Sequence, residues 1–136
     1  MPPATRQAAH WRVLIVDDNA DSADSLAALL ELQGHEVAAV YGPREALERA
    51  PQFKPEVVLL DIGLPDMDGY STAARLRTLP ELANVRIVAV TGYGQAEDRQ
   101  RTQAAGFDGH VTKPVSLTSI IHAIETAVGR DDPGVS

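Results

Sequence analysis

Val57-Val58-Leu59-Leu60-Asp61 runs straight into Ile62-Gly63-Leu64-Pro65-Asp66-Met67-Asp68-Gly69. Four consecutive apolar residues ahead of a Gly/Pro-bearing stretch read as a strand buried on both faces. Asp61 closes the run, so its carboxylate stands at the mouth of that strand, held by core and open to a ligand. Two other apolar runs end in the same style. Val13-Leu14-Ile15-Val16 meets Asp17-Asp18, and Ile87-Val88-Ala89-Val90 meets Thr91-Gly92. Gly109-His110-Val111-Thr112 ends at Lys113-Pro114. Parallel neighbours of this kind bring three carboxylates, a hydroxyl and an amine to one edge of one sheet.

Helical patterns fill the intervals. Residues 21–33 carry Leu26, Leu29 and Leu30 at helical spacing and stop at Gly34. A short strand over 36–40 follows. Pro43 suits the first position of a helix reaching Ala50, because its missing N–H costs nothing there. A strand over 56–60, a helix over 70–79 ended by Pro80 and a strand over 86–90 come next. A polar helix over 95–105 stops at Gly106. The last helix, 117–128, places Leu117, Ile120, Ile121, Ile124 and Val128 on one face. Five strands alternating with five helices predict an α/β fold, a doubly wound parallel sheet covered on both faces. Such sheets bind ligands beyond the carboxyl ends of their strands, where Asp17, Asp18, Asp61, Thr91 and Lys113 fall.

A chain of 136 residues is long enough for one cored domain. The pattern assigns it to 11–129, between a loose N-terminal arm, 1–10, and a flexible C-terminal tail, 130–136. No second domain is expected after Val128. The absence of cysteine excludes a disulfide framework and a thiolate metal site. No apolar run is long enough to span a bilayer and no signal-peptide core opens the chain, so a cytoplasmic protein without a membrane partner is expected. The formal charge of −7 argues against nucleic acid as a partner.

Three converging carboxylates repel one another, and without a cation at least one should bind its proton more tightly than usual. Mg²⁺, with Mn²⁺ as an alternative, suits such a set, since it takes a few carboxylates, retained waters and phosphate oxygens. Asp18 and Asp61 are the expected direct ligands, Asp17 binds directly or through water, and the Gly63 backbone carbonyl can reach the same ion. A phosphoryl group fits there too, with Lys113 and the Thr91 hydroxyl each taking an oxygen. Asp61, the central carboxylate, is the nucleophile.

Leu14-Ile15-Val16-Asp17-Asp18, Leu59-Leu60-Asp61-Ile62-Gly63-Leu64-Pro65-Asp66-Met67-Asp68-Gly69, Val90-Thr91-Gly92 and Val111-Thr112-Lys113-Pro114 together resemble a response regulator receiver domain of two-component signalling. The resemblance covers about residues 11–129. It implies a flavodoxin-like (βα)5 fold with strand order 2-1-3-4-5, and phosphotransfer to Asp61, with Mg²⁺, from a histidine kinase or histidine phosphotransfer protein. It makes Asp17 and Asp18 the acidic pair, Thr91 the switch hydroxyl and Lys113 the phosphate partner. It also implies a cis peptide bond between Lys113 and Pro114. The family's usual aromatic switch position, three residues before the lysine, holds His110 here. Imidazole is smaller than a phenol and can carry charge.

Two forms of the family fit: a single-domain regulator, or a receiver cut from a hybrid histidine kinase. A Mg²⁺-dependent phosphatase with an aspartyl-phosphate intermediate commonly carries a second Asp two residues after the nucleophile. Gly63 stands there, so a phosphoacceptor is expected and an enzyme is not. Asp66-Met67-Asp68-Gly69 hints at a calcium loop but lacks the acids that should open and close one. His10, His35, His110 and His122 show no ligand spacing and are read as solvated or half-buried. The polar helix over 95–105 has only alanines to pack, which suits an element that must move. Arg99, Gln103, His110 and His122 are therefore the expected contacts of an output surface next to Thr91.

Overall fold

Successive residues of a strand point to opposite faces of its sheet, and the apolar strands sort themselves accordingly. In the computed structural model, which describes residues 10–62, 69–92, 105–113 and 115–129, the order is β1 (Arg12–Val16), α1 (Ala20–Leu32), β2 (Glu36–Val40), α2 (Pro43–Phe53) and β3 (Val57–Asp61). Then come α3 (Gly69–Thr78), a 3₁₀ turn at Pro80–Leu82, β4 (Arg86–Thr91), β5 (Gly109–Thr112) and α4 (Leu117–Gly129). The five strands form one parallel sheet in the order β2-β1-β3-β4-β5, as the resemblance implies.

Val13, Ile15, Val57, Leu59, Val88, Val90 and Val111 face one way and pack with Ala23 and Leu30 of α1 and Ile120, Ala123, Ile124 and Ala127 of α4. Leu14, Val16, Val58, Leu60, Ile87 and Ala89 face the other way, against Ala46 and Ala50 of α2 and Ala73 and Leu76 of α3. The sheet is thus covered on both sides, which is why its inner strands read as unbroken apolar runs. The register aligns the carboxyl ends: Val16 lies beside Leu60, Asp61 beside Val90 and Thr91 beside Thr112.

Three expectations are corrected. The second helix runs past Ala50 to Phe53 with Pro51 inside it. Pro51 falls in the last turn, where losing one N–H interrupts little, and the helix then closes on Lys54, left-handed at φ 55, whose N–H donates to the Ala50 carbonyl at 2.8 Å. Leu29 is not core. It is 42% exposed, because Ala23 and Leu30 define the buried face of α1. His35 is buried rather than solvated or half-buried: its ring stacks on Trp11, with centroids 4.5 Å apart, and its Nδ1 accepts the Trp11 N–H at 3.1 Å. The expected helix over 95–105 lies outside the described residues except for Ala105, which forms a turn with Gly106. Pro114, and with it the Lys113–Pro114 peptide, lies outside them as well.

Candidate functional site

Asp17 follows β1 directly, and its N–H donates to the Val40 carbonyl of β2 at 3.1 Å, which continues the sheet one residue past the strand. Asp61 is the last residue of β3, and the next N–H, that of Ile62, donates to Val90 of β4 at 3.0 Å. Lys113 follows β5, with its N–H on the Thr91 carbonyl at 2.7 Å. The ladder thus carries each of these residues to the same edge. One carboxylate oxygen each from Asp17, Asp18 and Asp61 lie within 4.8 Å of one another. Lys113 Nζ donates to Asp61 Oδ2 at 2.8 Å. Thr91 is buried at the end of β4, one strand over from Asp61.

Burial decides the local electrostatics. Asp17 and Asp61 are 9% and 4% exposed, while Asp18 faces solvent. Desolvation pushes the Asp17 carboxyl above its usual range. The Asn19 N–H, donating to Asp17 Oδ1 at 2.9 Å, pulls it back, and the negative charge of Asp61 pushes it up again. The direction is the one expected, but burial is its first cause and the crowding of carboxylates a lesser one. For Lys113, burial acts downward, but the hydrogen bond and charge of Asp61, with Asp17 and Asp18 behind, outweigh it and hold the ammonium above its ordinary value.

A cavity of about 730 Å³ opens beside these groups. Asp17, Asp61 and Lys113 line one part of it, and Leu26, Leu29 and Leu117 supply an apolar part. The exposure of Leu29 is therefore a property of this cavity wall.

Sequence reasoning brought Asp17, Asp18, Asp61, Thr91 and Lys113 to one edge, and the structure places them there. His110 is half-buried on β5 and His122 is exposed on α4. Gly63, Arg99 and Gln103 lie outside the described residues. Three supporting residues were missed. Asn19 caps α1, its Oδ1 accepting the Ser22 N–H at 3.0 Å; an Asn just ahead of a helical pattern was the available signal. Gly69 lies against Ile62: a Cβ on it would come within 2.7 Å of Ile62 Cα. Arg77 of α3 donates to the carbonyls of Val85 at 3.0 Å and Gly106 at 2.9 Å and pairs with Asp108 at 2.8 Å, which fixes the approach to β5. Gly106 and Asp108 lie far away in sequence, so no local pattern announces it.

Parallel strands in the order 2-1-3-4-5, with an acidic cluster and a lysine at their carboxyl edge, define a class. The family model of the response regulator receiver domain matches residues 13–125, and the chain belongs to that family. It is a receiver domain of two-component signalling. It is 30% identical over 117 residues to the polar-differentiation response regulator DivK of Brucella anthropi, covering 86% of this chain and 95% of that protein. Among solved structures it is similar to a CheY-like receiver domain protein from Methanospirillum hungatei (30% identity, TM-score 0.77, 88% of this chain and 94% of the other). It is also similar to the chemotaxis protein CheY4 of Vibrio cholerae (25% identity, TM-score 0.81, 88% and 99%). No helix among the described residues is long and apolar enough to cross a membrane.

Proposed function

We propose that Asp61 is the phosphoacceptor, taking a phosphoryl group from a phosphohistidine on a histidine kinase or histidine phosphotransfer protein. The observation that carries this reading is the pairing of Lys113 with Asp61 at 2.8 Å inside a group of three carboxylates. A carboxylate oxygen of Asp61 attacks phosphorus, the donor's phosphorus–nitrogen bond breaks, and its electron pair leaves on the imidazole. Lys113, already at Asp61, is placed to meet the oxygens of the group that arrives, and the Thr91 hydroxyl is the donor from the neighbouring strand.

The donor set fits a hard divalent cation: Asp17, Asp18 and Asp61 offer oxygen ligands. They would hold Mg²⁺ or Mn²⁺, with the Gly63 carbonyl as a fourth protein ligand. Mg²⁺, when bound, neutralises charge on the phosphoryl oxygens. The cavity joins this chemistry to an apolar wall, so a partner presenting a phosphohistidine finds hydrophobic contact beside the nucleophile.

The output follows from the strand ends. A phosphoryl group on Asp61 draws the Thr91 hydroxyl toward it and shifts the segment that β4 leads into. The surface read by a protein target then comprises Thr91, Arg99, Gln103, His110 and His122, with His110 in place of the usual aromatic. The test is mass spectrometry after incubation with a small acyl phosphate. An adduct on the wild-type chain that requires divalent metal and vanishes in Asp61→Asn is expected. An undiminished adduct on Asp61→Asn would reject the assignment.

A further inference from the structure

We infer that Asn19 is a positioning residue for the cation site, fixing the Asp17 carboxylate by tying it to the first turn of α1. The inference rests on the proposed cation site. Asp17 carries two anchors. Its main chain is pinned to β2 through the bond from its N–H to Val40. Its side chain is pinned by Asn19, whose N–H donates to Asp17 Oδ1 at 2.9 Å. That N–H is itself aimed by the Asn19 side chain. Asn19 is extended (φ −86, ψ 100), its Oδ1 accepts the Ser22 N–H at 3.0 Å, and its carbonyl accepts the Ala23 N–H at 3.0 Å.

An Asx turn at Asp17 therefore leads directly into the N-cap of α1. The same residue closes the helix and orients a carboxylate. Removing the Asn19 amide releases the first turn and lets the N–H swing away from Asp17 Oδ1. The carboxylate then turns freely among charges that repel it. Groups that orient metal ligands through hydrogen bonds act in this way.

A residue that merely capped the helix would change stability and leave ion binding alone. The two roles separate because glycine is a tolerable N-cap, costing only a small part of what alanine costs. The experiment titrates the full 136-residue chain with MgCl₂, followed by amide NMR shifts, beside urea unfolding of each variant. Asn19→Ala and Asn19→Gly should both weaken Mg²⁺ binding about tenfold, although only Asn19→Ala loses much stability. Asn19→Ser, which retains a capping oxygen, should recover most of the affinity. Ile87→Val, a core change away from the site, should lose stability with unchanged affinity. Wild-type affinity in Asn19→Gly overturns the inference. Asp18→Ala is run in parallel. If it loses Mg²⁺ while the Asn19 variants do not, Asn19 is a cap and the cation site stands. If Asp18→Ala titrates like wild type, the cation site is misplaced and the inference falls with it.

Discussion

At the amino edge of the sheet Arg12 pairs with Glu36 at 2.8 Å, its Nε donates to the Phe53 carbonyl at 3.0 Å, and its guanidinium lies over the Phe53 ring at 4.4 Å. Its N–H reaches Glu56 at 3.0 Å, and His10 donates to the Gly34 carbonyl at 2.6 Å. At the carboxyl edge of the same strands, three carboxylates crowd together and Lys113 pairs with one of them. One edge satisfies its charges and is finished. The other sets three carboxylates around one ammonium on a rigid frame, among the described residues. Exposed ion pairs such as that of Arg12 and Glu36 contribute little stability, so their value lies in closing the strand ends. The carboxyl edge is where a cation changes the energetics.

The largest expected effect tests this difference directly. Mg²⁺ at a hundred times its dissociation constant should raise the unfolding free energy by about 2.7 kcal/mol, by mass action on the native state. Urea unfolding with and without MgCl₂ measures it. Asp18→Ala should abolish the gain, and Arg12→Ala should leave it intact. A gain that depended on Arg12 would erase the distinction between the edges. Trp11 is a poor reporter for this titration, since it sits at the amino end of β1, stacked on His35. Amide shifts of Asp17 and Ile62 serve better.

The next effect concerns glycine at each edge. Gly69 stands where a Cβ would collide with Ile62 Cα at 2.7 Å, a backbone atom that cannot step aside without moving the residue after Asp61. Gly69→Ala should cost about 2 kcal/mol, as overpacking does, and should also weaken Mg²⁺ binding. Gly34 has open space around it but φ +96. Gly34→Ala should cost about 1 kcal/mol from strain alone and leave the cation site untouched. Equal Mg²⁺ affinities in the two variants would show that the Ile62 contact does not position Asp61.

Acid should act on the amino edge through His35. Burial, and then the charge of His10, hold its pKa below the usual 6.5. The unfolded chain therefore takes up a proton near pH 6.5 that the folded chain refuses. The contribution is full above that pH and is lost as pH falls toward the folded value. The slope is at most about 1.4 kcal/mol per pH unit for one proton. Protonation at Nδ1 would also set an N–H against the Trp11 N–H it now accepts. His35→Gln keeps an acceptor without the titration. Its stability should fall less steeply from pH 6.5 downward, although Glu36, held below its usual range by His10 and Arg12, still titrates lower. An unchanged slope in His35→Gln would assign the acid sensitivity elsewhere.

The two edges also differ in how far they could be read in advance. The carboxyl edge was legible because its chemistry is local: each functional residue directly follows an apolar run, so finding the strands found Asp17, Asp61, Thr91 and Lys113. The layering followed from the same runs, since alternation within them decides which side chains meet α1 and α4 and which meet α2 and α3. The amino edge was not legible. Arg12 finds Glu36, Phe53 and Glu56 at separations that no window spans, and His35 becomes buried only once Trp11 stacks on it. Leu29 misled for a related reason: helical spacing gives a face, but the width of that face is set by where α4 and the cavity lie. Asn19 carried a readable cap signal, yet its bond to Asp17 depends on the turn between β1 and α1.

The smallest expected effect sharpens the comparison at its quieter end. Lys54 closes α2 just ahead of β3 with φ 55, the left-handed region, where a Cβ crowds the following carbonyl. Its side chain is exposed, and its structural duty is the N–H it gives to Ala50 at 2.8 Å. Glycine supplies that N–H without the steric cost, although it also gives the unfolded chain more freedom. The two terms oppose, and the left-handed strain is the larger for a residue with a Cβ. Lys54→Gly should therefore stabilise by about 0.5 kcal/mol, seen as a small rise in the urea midpoint. Because the change lies at the amino edge, the Mg²⁺ increment should be the same before and after it. A loss of stability would mean that the aliphatic stem of Lys54 contributes more than its backbone strain costs.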